Sequence, residues 1–165
     1  MNPEQPLTIG SPDELERAAD APSRGSVRVF VSFDTEHDEH LYELLLEQSR
    51  LAASGFEVLG CSACLREGRL GSGILRQQIR EADQVIVICG AHTGNSPSVA
   101  AELRIAREER KPHFLLWGRR AIMCTKPRGA ETAEGMYSWT PEILQERVAY
   151  MRRTGGAVLD MSRSG

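Results

Sequence analysis

Short apolar runs alternate along the chain with stretches in which apolar residues recur every three or four positions. Val27-Arg28-Val29-Phe30-Val31-Ser32-Phe33 is β-branched and aromatic, which predicts a strand that ends at the polar loop Asp34-Thr35-Glu36-His37-Asp38. From about Glu39, residues Leu41, Leu44, Leu45, Leu51 and Ala52 keep helical spacing; Gly55 is the expected stop before a second strand, Phe56-Glu57-Val58-Leu59. The loop Cys61–Gly73 carries Gly68, Gly71 and Gly73, and Ile74, Ile79 and Ala82 then mark another helix. Gln84-Val85-Ile86-Val87-Ile88-Cys89-Gly90 is the most strand-like run, and its unbroken apolar character predicts a central strand covered on both faces. An amphipathic helix follows within His92–Glu109 and is broken by Lys111-Pro112, after which His113–Trp117 predicts a fourth strand. Tyr137-Ser138-Trp139 fits a short edge strand, and Pro141 opens a last helix with Ile143, Leu144, Val148 and Met151.

Strand and helix alternate throughout, so right-handed crossovers predict a parallel sheet with helices on both faces. The expected class is α/β, flavodoxin-like, with four to five strands. The expected organisation is an N-terminal extension over 1–26, in which Ser11-Pro12-Asp13-Glu14 caps a short helix to about Asp20, a domain over 27–153, and a loose tail over 154–165. Ligands of such sheets sit outside the carboxyl ends of the strands at the switch point, where the loops Ser32–Asp38, Cys61–Gly73 and Gly90–Pro97 converge.

One residue of the helix after the central strand is out of place. With Val99, Leu103 and Ala106 facing the core, a rotation of about 100° per residue puts Glu102 between Ala106 and Ile105, inside the apolar arc. Ser96-Pro97 has the form of an N-cap and first helical residue, so Glu102 lies about one and a half turns in, its side chain leaning back toward the loops. A carboxylate there needs compensation, by a structural hydrogen bond, a raised pKa or a ligand hydroxyl.

Bulk properties narrow the possibilities. At 165 residues the chain suits one domain with its own core; 41% of residues are apolar, 26% charged, and the net charge of -3 indicates no general affinity for nucleic acid or anionic membranes. No apolar window approaches the ~18 residues of a membrane span, and the N-terminus lacks the basic-then-apolar order of a signal peptide, so a cytoplasmic protein is expected. The pair Cys61 and Cys64 lacks two further zinc ligands and the usual neighbours of a thioredoxin-type site; reduced thiols are expected here, with Cys89 in the core.

Several chemistries fail on motif. A phospho-acceptor receiver needs an aspartate ending the third strand, where Cys89-Gly90 stands, and neither a P-loop nor a G-x-G-x-x-G fingerprint is present. The glycines of Cys61–Gly73, with Arg66 and Arg69, are consistent either with a phosphate contact ahead of a helix or with a solvated loop. His37 and His40 among Asp34, Glu36, Asp38 and Glu39 fit an acidic helix-capping loop better than a metal cluster, and no metal is expected. His92 either satisfies loop backbone groups or faces the proposed pocket.

Three segments carry a resemblance. Val29-Phe30-Val31-Ser32-Phe33-Asp34, the run Asp83–Thr93, and Ala101-Glu102-Leu103 ahead of Lys111-Pro112 together resemble a TIR domain, and more narrowly the TIR-like sensor subunit of the Thoeris antiphage system, over roughly Val27 to Arg153. The resemblance implies that Glu102 is the catalytic residue of an NAD glycohydrolase or ADP-ribosyl cyclase, with NAD as substrate and no separate cofactor. It further implies substrate-binding roles for Ser32, Phe33 and Asp34 on the nicotinamide-ribose side, for His92 and Asn95 at the rim, and for Arg66 and Gly71 in the loop that covers such sites. Many TIR domains carry tryptophan four residues before the glutamate; Ser98 stands there, which removes one wall of the usual pocket.

The expected activity is therefore release of nicotinamide with formation of ADP-ribose or a cyclic isomer as a signal. The expected partners are further copies of the chain, a phage-derived trigger and a nucleotide-sensing effector, with neither membrane nor nucleic acid. Two rivals stand beside it. A non-catalytic TIR-like scaffold or adaptor, acting by self-association or partner binding, is favoured by Ser98; a nuclease of the same fold lacks a convincing metal cluster.

Overall fold

The computed structural model describes residues 26–63 and 72–154. The predicted helix from Ser11 to Asp20, the tail beyond residue 154, Cys64, and the candidate loop residues Arg66 and Gly71 lie outside the described residues. The elements are β1 (Val27–Ser32), α1 (Glu39–Ser49), β2 (Phe56–Cys61), α2 (Ser72–Glu81), β3 (Gln84–Cys89), α3 (Pro97–Glu108), β4 (His113–Trp117), β5 (Met136–Ser138) and α4 (Pro141–Thr154).

The strands form one parallel sheet in the order β2-β1-β3-β4-β5, the flavodoxin-like arrangement that the alternation predicts. Every residue of β3 is buried, as its apolar run requires, and the short β5 closes one edge. Side chains alternate between two apolar layers. On one face Val29, Val31, Ile86, Ile88 and Leu116 meet Leu41 and Leu45 of α1 and Leu144, Val148 and Met151 of α4. On the other, Phe30, Val85, Val87 and Leu115 meet Ile79 of α2 and Val99, Ile105 and Ala106 of α3. Each fully buried aliphatic side chain contributes about 1.5–3 kcal/mol to this packing.

Two expectations about α1 need correction. The helix ends at Ser49, and Gly55 instead occupies the turn into β2 at φ +78, where its carbonyl accepts from the Val27 amide at 3.0 Å. Leu51, read as continuing the helical spacing, lies past the end of the helix, and Leu44 and Leu51 are 50% and 60% exposed. Only Leu41 and Leu45 rotate onto the sheet.

Chain reversal at the carboxyl end of the sheet leaves little space. Gly118 follows β4 and donates its amide to the Cys89 carbonyl at 2.9 Å; a Cβ there would lie 2.7 Å from Leu41 Cδ1 and 2.9 Å from that same carbonyl oxygen. A backbone atom cannot rotate aside, so Gly118→Ala is expected to destabilise the domain by about 1–3 kcal/mol, read as a lower denaturant midpoint at unchanged m-value.

Candidate functional site

The switch point lies between β1 and β3, where the chain leaves β1 for β2 on one side and β3 lies on the other. Ser32, the last residue of β1, is fully buried, and Ser62, just past β2, is 5% exposed. α3 starts as predicted: Ser96 is the N-cap, accepting from the Val99 amide, and Pro97 is the first helical residue. Val99, Leu103 and Ala106 pack inward, and Glu102 is 3% exposed among them.

The two serines account for the misplaced glutamate. Ser32 Oγ and Ser62 Oγ each donate to Glu102 Oε1, both at 2.6 Å, and the Phe33 amide donates to Ser62 Oγ at 3.0 Å. Among the described residues no cation pairs with this carboxylate and Oε2 has no partner. Burial pushes the Glu102 pKa up to about 7, against the opposing pull of the Ser32 and Ser62 hydrogen bonds, which favour the charged form. The site therefore holds an acid poised to change charge near neutrality.

Beside it lies a cavity of about 350 Å³ lined by Asp34, Glu36, His37, His92, Asn95 and Ser98 among others. Ser98 is one helical turn before Glu102, so the two side chains share a face of α3. Asp34, 6% exposed, accepts from the Glu36 amide at 3.0 Å and meets His37 Nδ1 at 2.9 Å; His37 in turn stacks on His92 with centroids 3.9 Å apart. Asp34, Glu36 and His37 offer potential metal-ligand atoms within 4.8 Å of one another, but the Asp34 carboxylate is already engaged by the neighbouring amide and imidazole.

The structure thus brings Ser32, Asp34, His92, Asn95 and Glu102 to one end of the sheet. Phe33 is placed differently. Its ring is fully buried and stacks on Tyr42 at 4.9 Å, away from the cavity, so its contribution is the amide that orders Ser62. Glu102 itself is not in the cavity wall; it lies one turn behind Ser98.

One residue of the site, Ser62, escaped the sequence reading, and Asp38, read there only as part of an acidic capping loop, is buried. Ser62 sits between Cys61 and Cys64, whose spacing drew attention to sulfur; its one visible signal was a hydroxyl ending a strand at the switch point, as Ser32 does. Asp38 is 3% exposed with Oδ2 unpartnered among the described residues, and its pKa is raised by burial and then by the charge of Asp34. Gly90 makes room for it, since a Cβ there would lie 2.3 Å from that oxygen. Cys61, Cys89 and Cys124 are buried, and burial pushes the Cys89 thiol up to about 12, which removes it as a nucleophile.

A profile of the family described as Thoeris protein ThsB, TIR-like domain, matches residues 30–119. The chain belongs to that family. The match runs from β1 past β4 and so contains every side chain just described around Glu102. Membership in the ThsB TIR-like family supports a part in antiphage defence signalling. No curated protein matches the chain. Among the described residues of this TIR-like domain, no helix is long and apolar enough to cross a membrane.

The raised Glu102 pKa carries a sign for stability. The native state holds the Glu102 proton up to about pH 7 while the unfolded chain releases it near 4.5, so stability falls as pH rises through that window and stays lower above it. At about 1.4 kcal/mol per pH unit the loss amounts to about 3 kcal/mol. Glu102→Gln, which cannot ionise, is expected to match the parent near pH 4 and exceed it by up to about 3 kcal/mol at pH 8, measured by urea unfolding at both pH values.

Proposed function

We propose that this domain cleaves NAD at the nicotinamide–ribose bond and releases ADP-ribose or a cyclic ADP-ribose isomer as a signal in bacterial phage defence. The observation that carries the reading is Glu102: a buried carboxylate on the inner face of α3, held on one oxygen by two serines and unpaired by any cation among the described residues.

The reaction needs little else from the protein. As the glycosidic bond breaks, its electron pair leaves with nicotinamide, which departs as a neutral ring, and positive charge develops on the ribose as an oxocarbenium ion. A carboxylate fixed in a site that excludes water stabilises that charge without reorganising. Glu102 Oε2 is the oxygen available to the ribose, since Oε1 is occupied by Ser32 and Ser62. Water then adds to the sugar carbon and loses a proton to give ADP-ribose, or a nucleophile within the adenosine half closes a ring. Ser32 and Ser62 act as positioning residues, Asp34 and His92 face the nicotinamide-ribose half, and Asn95 lies at the rim. Arg66 and Gly71 belong to the same proposal as contacts from the loop after β2. Copies of the chain, a phage-derived trigger and a nucleotide-sensing effector are the partners this reading requires.

A scaffold reading has one specific observation in its favour: Glu102 is 3% exposed and outside the cavity wall, with Ser98 in place of the tryptophan wall. Product analysis separates the two. On the enzymatic reading the purified chain, alone or with phage lysate protein, releases nicotinamide from NAD, and Glu102→Gln lowers kcat/KM by about 10²–10³-fold; intact NAD under every condition, with concentration-dependent self-association, establishes the scaffold.

The ionised form of Glu102 is the active one, so kcat/KM for NAD is expected to rise with pH through a midpoint near 7. Ser62→Ala removes a hydrogen bond that favours the carboxylate and is expected to move this limb to higher pH. A limb that stays in place in the alanine variant assigns the titration to another group.

A further inference from the structure

The start of α3 separates two cavities of opposite character. The cavity of about 350 Å³ beside Glu102 is lined by Asp34 and Glu36 with two histidines, and among the described residues neither Lys nor Arg lines it. A second cavity, of about 790 Å³, opens between the outer face of α3 and the segment around Arg128, where Arg104, Arg107 and Arg128 face a single carboxylate, Glu108. Asn95, Ser96 and Pro97 line both, so the cavities adjoin across that short stretch.

The three arginines are not equivalent. Arg107 is committed to the fold: it donates to Glu134 at 2.9 Å and to the Gly129 carbonyl, while Glu134 also meets His113 of β4. Those bonds tie the segment that carries Arg128 to the body of the domain. Arg104 has a side chain 69% exposed and approaches Glu108 only at 3.9 Å, and Arg128 is exposed with no hydrogen-bond or ion-pair partner among the described residues. At the rim of the larger cavity, Arg128 is thus unpaired among the described residues and Arg104 is held only by that long ion pair.

We propose that this arginine-lined cavity is the subsite for the pyrophosphate and adenosine half of the dinucleotide, with Arg104 and Arg128 as its anion-binding residues. The choice of ligand rests on the NAD-cleaving reading above. NAD has opposite charge at its two halves: a cationic nicotinamide riboside and a pyrophosphate dianion. Asp34 and Glu36 attract the first and repel the second, whereas guanidinium groups pair with phosphate oxygens through two parallel hydrogen bonds. At about 350 Å³ the acidic cavity is near the lower end of small-molecule sites, roughly 300–1,000 Å³, which suits one nucleoside half. The charge pattern then orients the substrate, with nicotinamide toward Glu102 and the phosphates across Asn95–Pro97.

ADP, which carries the pyrophosphate without the nicotinamide riboside, is the direct probe. Calorimetry on the full chain is expected to show ADP binding that weakens by about tenfold or more in the double variant Arg104→Ala with Arg128→Ala, at an unchanged thermal midpoint because both side chains are exposed. With NAD the same variant is expected to raise KM with little change in kcat, and cleavage of nicotinamide riboside, which lacks phosphates, to be indifferent to it. ADP binding that is absent in the parent, or equal in parent and double variant, overturns the subsite. A parent that binds ADP through these arginines yet never releases nicotinamide keeps the subsite and overturns the cleavage reading; NAD cleavage with a KM indifferent to both arginines does the reverse.

Discussion

Two serine hydroxyls, one ending β1 and one just past β2, converge on a single oxygen of a glutamate projecting from α3. This junction ties together three elements that are distant in sequence, and it exists only because the parallel sheet sets β1 beside β2 with α3 packed against the face where their ends meet. An isolated carboxylate in such a place is costly, and hydroxyls offset only part of the desolvation. The remainder appears as a carboxyl group held partly in its neutral form near pH 7. An arginine in place of the serines would bind the carboxylate more strongly and cancel the charge that the site has to offer.

The surrounding fold serves the same end of the sheet. Gly90, closing β3, leaves room for the buried carboxyl of Asp38, and Gly118, closing β4, lets the chain cross against Leu41 and the Cys89 carbonyl. Both glycines lie where the connections crowd together, and neither needs an unusual backbone angle; they are small because a methyl group would collide. The segment after β4 is drawn onto the domain by Glu134, whose pKa is held down to about 2 in spite of burial by the hydrogen bond from His113, the Glu131 amide, and the charges of His113 and Arg107. That anchoring builds the outer wall of the larger cavity.

On the proposed cleavage of NAD, stability and reactivity oppose each other at Glu102. The water-poor surroundings that make a fixed carboxylate effective against a developing positive charge are the same surroundings that penalise it in the native state. Placing it in the second turn of a helix buried against the sheet spreads that penalty over a large apolar core, in which β3 is covered along its whole length. The ThsB TIR-like family supplies the biological setting, and the geometry of this one acid supplies the chemical reason for the reading.

Much of the fold was legible in the sequence because each element carries a local signal. The apolar run of β3, the Ser96-Pro97 start of α3 and the alternation of the two periods specify strands, a helix boundary and a parallel sheet without knowledge of any contact, and periodicity alone put Glu102 inside the apolar arc. Helical spacing marked Leu41, Leu44 and Leu45 alike and could not tell which of them meets the sheet; Leu41 and Leu45 do, and Leu44 faces outward. What compensates Glu102 was decided only by tertiary structure: Ser62 is forty residues away and acquires its role when β2 pairs with β1. Phe33 likewise looked like a pocket residue until packing against Tyr42 turned its ring inward. Local propensity and periodicity are written along the chain, whereas a hydrogen bond to a buried charge or a cavity shared by two loops depends on distances that exist only once the strands are side by side.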